Sequence, residues 1–148
     1  MNYHSNKLFL ILLAIYIILQ IIIVVFNEPH FESDSLYYFQ KAEQCVQNNS
    51  FYPNNSNLFD DYIVAPIYIN YLFIILKIFK SINAILFFNI ILNSLNCVLV
   101  YSITKKLFEN QSALIASILY MLYLNNLGII LMNFNDLLFC TMMLLAIY

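Results

Sequence analysis

The sequence is poor in charge, and it contains neither tryptophan nor arginine. Charged residues make up 9% of the 148 positions, whereas a soluble domain carries about a quarter. All six basic residues are lysines and the net charge is -2, so no basic cluster supports binding to nucleic acid. A single glycine and three prolines exclude a flexible or low-complexity linker.

Cysteine is equally sparse. Cys45, Cys97 and Cys140 have neither metal-ligand spacing nor the density of a disulfide scaffold. Two of them lie in apolar runs, where a buried and inert thiol is expected. No metal site is predicted from these residues.

Apolar residues are abundant instead, at 63% of the chain, and the mean hydropathy is +0.79. About 20 apolar residues in a helix cross the hydrocarbon core of a bilayer. We therefore predict an all-α integral membrane protein, a polytopic helix bundle with an external loop that carries a short amphipathic helix. The predicted spans are 8–26, 82–104, 112–132 and 136–148.

The run over 8–26 is broken only by Gln20, and no small-x-small cleavage site precedes Asn27. We interpret it as a retained first helix rather than a signal peptide. Because Lys7 precedes it and acidic residues follow it, the positive-inside rule favours a cytoplasmic N-terminus.

The polar segment 27–61 is too long for a simple connection between helices. Within it, Leu36, Phe39, Ala42 and Val46 recur at helical spacing, which predicts an amphipathic helix at the membrane surface. Asp34 stands where the N-cap of this helix is expected.

The segment 65–79 begins next to a proline suited to a first helical turn, but its 15 residues extend only about 22 Å. It either crosses the membrane as a short span or lies along the outer surface. In the second arrangement Lys105 and Lys106 become cytoplasmic, and Asp136 comes to the outer face beside Asp34. The positive-inside rule favours the second arrangement, although Lys77 and Lys80 would then lie outside.

The helix over 82–104 carries Asn89, Asn93 and Asn96 on one face, which should contact other helices rather than lipid. The next span, 112–132, is interrupted by Asn125, Asn126 and Gly128. The last apolar run, 137–148, reaches only about 18 Å. We therefore expect the chain to be a truncated part of a longer protein.

The order of these features resembles the N-terminal region of polytopic glycosyltransferases of the GT-C fold, in particular the protein O-mannosyltransferase and lipid A aminoarabinose transferase group. The resemblance rests on a first helix, on Asp34-Ser35-Leu36-Tyr37-Tyr38, on Ala65-Pro66-Ile67-Tyr68, on Thr104-Lys105-Lys106-Leu107-Phe108, on Ser112-Ala113-Leu114-Ile115-Ala116 and on Asp136. It extends over nearly the whole chain.

The resemblance implies that Asp34 is the catalytic base and that Asp136 lines the same site. It places Tyr38 at the substrate. The leaving phosphate needs a cation or hydrogen-bond donors; Lys41, Lys77 and Lys80 are the external candidates, and Lys41 is predicted to bind the substrate. Both aspartates also have a purely structural interpretation as helix caps, and that alternative stays open. The chain departs from the family at Ser35, where an acidic residue is frequent.

The resemblance implies a polyprenyl-phosphate-linked sugar as donor and a glycan, lipid or protein hydroxyl as acceptor, with inversion at the anomeric carbon. It also implies a multi-pass position in the cell inner (plasma) membrane. No cofactor is assigned to a residue; a divalent cation is an option left open, and Val64-Ala65 stand where some members carry Glu-Lys.

The alternative function is that of a small non-enzymatic membrane protein, such as a flippase accessory or a transporter subunit. The long acidic segment 27–61 favours the transferase, because small flippases have short loops. A polysaccharide polymerase or ligase is a third option, but arginines are expected in its external loops and this chain has none.

Overall fold

The computed structural model of the chain describes residues 2–29, 34–53, 65–131 and 135–148. Within these ranges the structure is helical and contains no strand, which confirms the predicted all-α class. The helices are α1 Asn2–Phe26, α2 Asp34–Asn48, α3 Pro66–Phe79, α4 Ile82–Leu107, α5 Asn110–Leu122, α6 Leu124–Gly128 and α7 Asp136–Ile147, with a 3-10 turn at Ile129–Leu131.

Two helices, α1 and α4, are long and apolar enough to cross a membrane, over Ser5–Phe26 and Ile82–Leu107. The helices predicted over 8–26 and 82–104 are thus confirmed as helices. In the most apolar stretch of each helix, 17% of the residues are buried in α1 and 50% in α4. The other helices therefore pack mainly around α4, while α1 keeps a broad apolar surface.

Helices α1 and α4 run antiparallel. The rings of Phe9 and Tyr101 stack with their centroids 3.9 Å apart. Further along α1, the Tyr16 hydroxyl oxygen lies 3.0 Å from Nδ2 of Asn93. The beginning of α1 therefore lies beside the end of α4.

The third apolar run forms a broken helix. Asn110–Leu122 and Asn125–Leu131 are apolar enough for a span only when taken together, and they meet at a bend of 60°. The break lies at Tyr123, whose backbone is extended (φ -70°, ψ 105°). The interruption predicted within 112–132 is present, and it begins slightly earlier than the asparagines and the glycine that indicated it.

Three asparagines of α4, which we call the asparagine row, hold this broken helix and the start of α7. All three are at most 3% exposed, so the prediction that this face contacts other helices is confirmed. Their Nδ2 atoms donate to main-chain oxygens: Asn89 to Ile130 (3.1 Å), Asn93 to Asn126 (2.7 Å) and Asn96 to Leu137 (3.3 Å).

Asn93 is the centre of a buried polar network that joins four helices. Its Nδ2 also lies 3.0 Å from the Tyr16 hydroxyl and 3.0 Å from Gln20 Oε1. The Tyr120 hydroxyl donates to Asn93 Oδ1 at 2.8 Å. Because an apolar interior supplies no water, a carbonyl released by a helix break needs a protein donor. Asn93 is that donor for Asn126.

Helix α3 begins with Pro66 at its first position, as the sequence indicated. The residues on either side of α3, Ala65 and Lys80, have left-handed backbone conformations with φ of 44° and 51°. Ser81 then caps α4, and its hydroxyl accepts from the Asn83 N–H at 3.2 Å. At 14 residues, α3 extends about 21 Å, which is short for a complete span.

Helix α2 packs against α3 through a face that overlaps the predicted one, since Ala42 is buried and Phe39 and Val46 are half-buried against the same core, but the face is shifted towards Tyr38. Its buried residues are Ser35, Tyr38, Ala42 and Cys45, whereas the prediction was Leu36, Phe39, Ala42 and Val46. Leu36 is 41% exposed. The reason lies in α3: its aromatic side chains pack onto Tyr38, and small residues of α2 allow the two helices to approach closely.

The segment after α2 is joined to α3 by a paired contact. The Tyr52 N–H donates to Asn70 Oδ1 at 2.7 Å, and Asn70 Nδ2 donates to the Tyr52 carbonyl at 2.8 Å. The rings of Phe51 and Phe73 meet edge to face at 5.1 Å. Helices α2 and α3 are therefore connected at both ends of their interface.

Helix α7 runs in the same direction as the second half of α4. Its first turn lies at Asn96, through the carbonyl of Leu137, and Tyr148 lies beside Lys106, with 3.0 Å between Nζ and the main-chain oxygen. The helix predicted over 136–148 is present as Asp136–Ile147.

The substitution Asn93→Leu should lower the free energy of unfolding by about 2 kcal/mol, because it leaves the Tyr120 hydroxyl and the Asn126 carbonyl without their partner. Asn83 lies on the same helix and is exposed, so Asn83→Leu should change it by less than about 0.5 kcal/mol. Circular dichroism in detergent measures both. Equal losses in the two variants would contradict the role of the asparagine row.

The substitution Lys80→Gly should raise the free energy of unfolding by about 1 kcal/mol, because glycine adopts the left-handed conformation without a Cβ clash. Lys77→Gly, inside α3, should lower it by about 1 kcal/mol. The same unfolding experiment compares the two. Changes of the same sign would show that the backbone at Lys80 does not limit stability.

Candidate functional site

The N-terminal ends of α2, α3 and α7 lie close to one another, and two of them carry an aspartate. Asp34 is in the first turn of α2 and Asp136 in the first turn of α7. A negative charge is favoured there, because the helix dipole places partial positive charge at its N-terminus. Both side chains are exposed.

Asp136 does not occupy the cap position that the structural interpretation required. Asn135 precedes α7 at that position, without a side-chain cap hydrogen bond, so Asp136 lies within the first turn instead. The residue before Asp34 lies outside the described residues, and the N-cap interpretation of Asp34 stays a prediction.

Tyr38 lies within electrostatic reach of both aspartates. Its side chain is 6% exposed. Burial raises the pKa of its hydroxyl, and the negative charges of Asp34 and Asp136 raise that pKa further. Asp34 precedes Tyr38 by one helical turn, so the two side chains share a face of α2. Carboxylates from two distant parts of the sequence thus act on one phenol.

A second tyrosine, Tyr68 of α3, continues this cluster. Its ring meets that of Tyr38 edge to face at 5.5 Å and stacks with that of Tyr71 at 5.9 Å. Burial raises the pKa of Tyr68, and Tyr71, Tyr38 and Asp136 contribute in that order. The charge of Asp136 therefore reaches both tyrosines.

Beside the cluster, a groove of about 200 Å³ lies between the starts of α3 and α7. The residues that line it are Ala65, Pro66, Ile67, Tyr68, Asn135, Leu138, Phe139 and Met142. Tyr68 and Asn135 are its polar members, and Asn135 directly precedes Asp136. The groove is thus apolar along its length and polar at the end where the aspartates lie.

The predicted cations lie apart from this groove. Lys41 Nζ lies 5.5 Å from the centre of the Tyr37 ring. Burial raises the pKa of Cys45, and the charge of Lys41 partly opposes that rise. Lys77 Nζ lies 5.2 Å from the Phe73 ring centre. Neither Lys41 nor Lys77 lines the groove, although Lys41 lies seven residues after Asp34 and therefore on the same face of α2.

Few side chains that could bind a metal lie near one another. Across residues 2–29, 34–53, 65–131 and 135–148, no three His, Cys, Asp or Glu side chains come together. Asp34 and Asp136 alone do not define a cation site. The other acidic residues considered from the sequence, Glu32, Asp60 and Asp61, lie outside the described residues, as do His30 and Tyr62.

Sequence reasoning missed two contributors. It gave Tyr68 no role in the site, yet this residue is 3% exposed, contacts the Tyr38 ring and lines the groove. It did not single out Asn135. The proline-aromatic start of α3 and the Asn-Asp start of α7 were visible signals, but only their packing shows that they face each other.

No known protein family, no curated protein and no solved structure matches this chain.

The substitution Tyr71→Phe tests whether the buried hydroxyl of Tyr71, beside Tyr68, has a hydrogen-bond partner. Its hydroxyl is buried and has no hydrogen-bond partner among the described residues. Tyr71→Phe should therefore raise the free energy of unfolding, by about 1 kcal/mol, because a buried unpaired hydroxyl is costly. Tyr68→Phe is the matched control, since Tyr68 does have polar interactions, and it should be neutral or destabilising. A loss of stability in Tyr71→Phe would show that its hydroxyl has a partner in solution.

Proposed function

We propose that this chain supplies the carboxylate-bearing part of a polytopic membrane glycosyltransferase of the GT-C type. Its donor is a sugar linked through phosphate to a polyprenyl chain, and its acceptor is a hydroxyl of a glycan, lipid or protein. The single observation that carries the proposal is that the charges of Asp34 and Asp136 both act on one buried tyrosine, Tyr38, whose ring contacts Tyr68 at the edge of an apolar groove.

The proposal includes a multi-pass position in the plasma membrane with a cytoplasmic N-terminus. Lys7, Lys105 and Lys106 lie at the same end of the antiparallel pair α1 and α4, and lysines favour the cytoplasmic side. Helix α4 then begins at the outer side, where α1 ends. This supports the arrangement in which α3 does not cross the membrane.

The site suits the transfer reaction because it combines a proton acceptor with a fixed hydrogen-bond donor. Asp34 removes the proton of the acceptor hydroxyl as that oxygen forms a bond to the anomeric carbon. The bond from this carbon to the phosphate oxygen breaks, and the lipid phosphate leaves with the electron pair. Attack from the face opposite the phosphate inverts the anomeric carbon.

Tyr38 and Asp136 position the base. A tyrosine hydroxyl has one proton to donate, so Tyr38 can bind one carboxylate at a time. When it donates to Asp136, Asp34 stays available as the proton acceptor. The leaving phosphate needs donors or a cation, and Lys41 on the same helix is the predicted group.

The substitution Asp34→Asn should lower transfer about 10²–10⁴-fold, because it removes the proton acceptor and keeps the size of the side chain. The assay uses membranes containing the complete protein, with radiolabelled undecaprenyl-phosphate mannose and undecaprenyl-phosphate aminoarabinose as parallel donors. Glu43 is exposed on the same helix, so Glu43→Gln is the matched control and should retain transfer.

Near wild-type transfer by Asp34→Asn would refute the assignment of the base, and Glu32 would be the next carboxylate to substitute. Transfer from neither donor by the unmodified protein would contradict the proposed donor class. Equal losses in Asp34→Asn and Glu43→Gln would indicate a general effect of charge on α2.

The orientation has its own test. In a background without cysteines, Gln47→Cys in α2 should react with a membrane-impermeant thiol reagent in intact cells, and Gln111→Cys in α5 should not, because the two positions are exposed on opposite sides. Gln111→Cys should react once the membrane is permeabilised. Labelling of Gln111→Cys in intact cells would contradict the cytoplasmic assignment.

A further inference from the structure

Three of the six lysines of the chain gather where α1 begins and α4 ends. Lys105 Nζ donates to Oδ1 of Asn6 at 2.9 Å, and Lys7 follows Asn6 directly in the sequence. Lys106 comes next on α4, and its Nζ donates to the main-chain oxygen of Tyr148 at 3.0 Å and lies 3.6 Å from the centre of the Tyr148 ring. Lys7 and Lys106 are exposed, and Lys105 is half-buried. We call these three residues the lysine cluster.

Lys105 is held in place rather than freely solvated. The Asn6 Oδ1 that accepts from its ammonium also accepts from the Tyr101 hydroxyl at 2.8 Å. The ammonium lies 5.7 Å from the centre of the Tyr101 ring, and Phe9 stacks on the other side of the interface at 3.9 Å. An ammonium has three donors, and in the described part of the chain one is used by a hydrogen bond. Two remain for a ligand.

Helix stability does not explain the whole cluster. Lys105 and Lys106 lie in the last turn of α4, where a positive charge is favoured by the helix dipole. Lys7 lies near the N-terminal end of α1, where a positive charge is disfavoured. Nevertheless the fold brings Lys7 to the same place. The preference of lysines for the cytoplasmic side and a common anionic ligand both account for three lysines at this end.

Apolar side chains surround the cluster and identify the kind of ligand. Leu8, Leu107 and Phe108 are 45%, 68% and 67% exposed, and each is adjacent in sequence to a lysine or to another member of this apolar rim. Side chains of this type insert among acyl chains at the level of the headgroups. A soluble phosphate would use the lysines but would leave the rim in water.

We propose that the lysine cluster binds the headgroup phosphate of an anionic phospholipid. Lys7, Lys105 and Lys106 contact the phosphate, and Leu8, Leu107 and Phe108 contact the acyl chains. This inference rests on insertion of the chain in a membrane and does not depend on the transfer reaction.

Thermal unfolding of the purified 148-residue chain in a neutral detergent tests it, with a thiol-reactive dye that reports exposure of the buried cysteines Cys45 and Cys97. Dioleoylphosphatidylglycerol should raise the midpoint by several degrees more than dioleoylphosphatidylcholine. The double variant Lys7→Gln with Lys106→Gln keeps the contacts of Lys105, and its apparent affinity for phosphatidylglycerol should be lower by about tenfold or more.

The matched control is Lys77→Gln with Lys80→Gln, which removes two exposed lysines from α3 and should retain the affinity of the original chain. Glycerol phosphate and inorganic phosphate at millimolar concentration should not raise the midpoint, since they lack acyl chains. Equal stabilisation by the two lipids, equal loss in the two double variants, or full stabilisation by inorganic phosphate would each overturn the proposal. Because no sugar transfer is measured, these outcomes are independent of the proposed reaction.

Discussion

The donation of hydrogen bonds from the asparagine row of α4 to main-chain carbonyls is the constraint on which the rest of the structure depends. The helix that follows α4 breaks at Tyr123 and continues only as the short α6 and a 3-10 turn, and the ends of such short helices leave carbonyls without helical partners. In an apolar interior these groups need other donors. Asn93 reaches the Asn126 carbonyl and Asn89 reaches that of Ile130, so α4 replaces the missing bonds.

The candidate site depends on the same row. Asn96 donates to the Leu137 carbonyl in the first turn of α7, and this fixes the height at which Asp136 enters the bundle. On the other side, Asn70 and the Tyr38–Tyr68 ring contact join α2 to α3. Both aspartates act on Tyr38 because one helix pair carries Asp34 and the other, α4 with α7, carries Asp136.

Charged residues occur at two places in the bundle. Two of the described acidic residues, Asp34 and Asp136, lie near the tyrosine cluster, where their charge adds to burial in raising the pKa of Tyr38. The lysine cluster lies at the end of α4, where Asn6 positions one ammonium. These lysines lie where an apolar helix ends, because there the desolvation of a charge costs least.

The sequence by itself determined the helices and the inward face of α4, because a period of 3.6 residues places Asn89, Asn93 and Asn96 on one side whatever the neighbours are. It also located Pro66 at the start of α3. Only the tertiary structure decided which face of α2 is buried, since the Tyr68 ring packs against Tyr38 and leaves Leu36 exposed. It also decided that Tyr68 and Asn135 belong to the groove beside the two aspartates, because such proximity arises from packing between helices and leaves no periodic trace in the sequence.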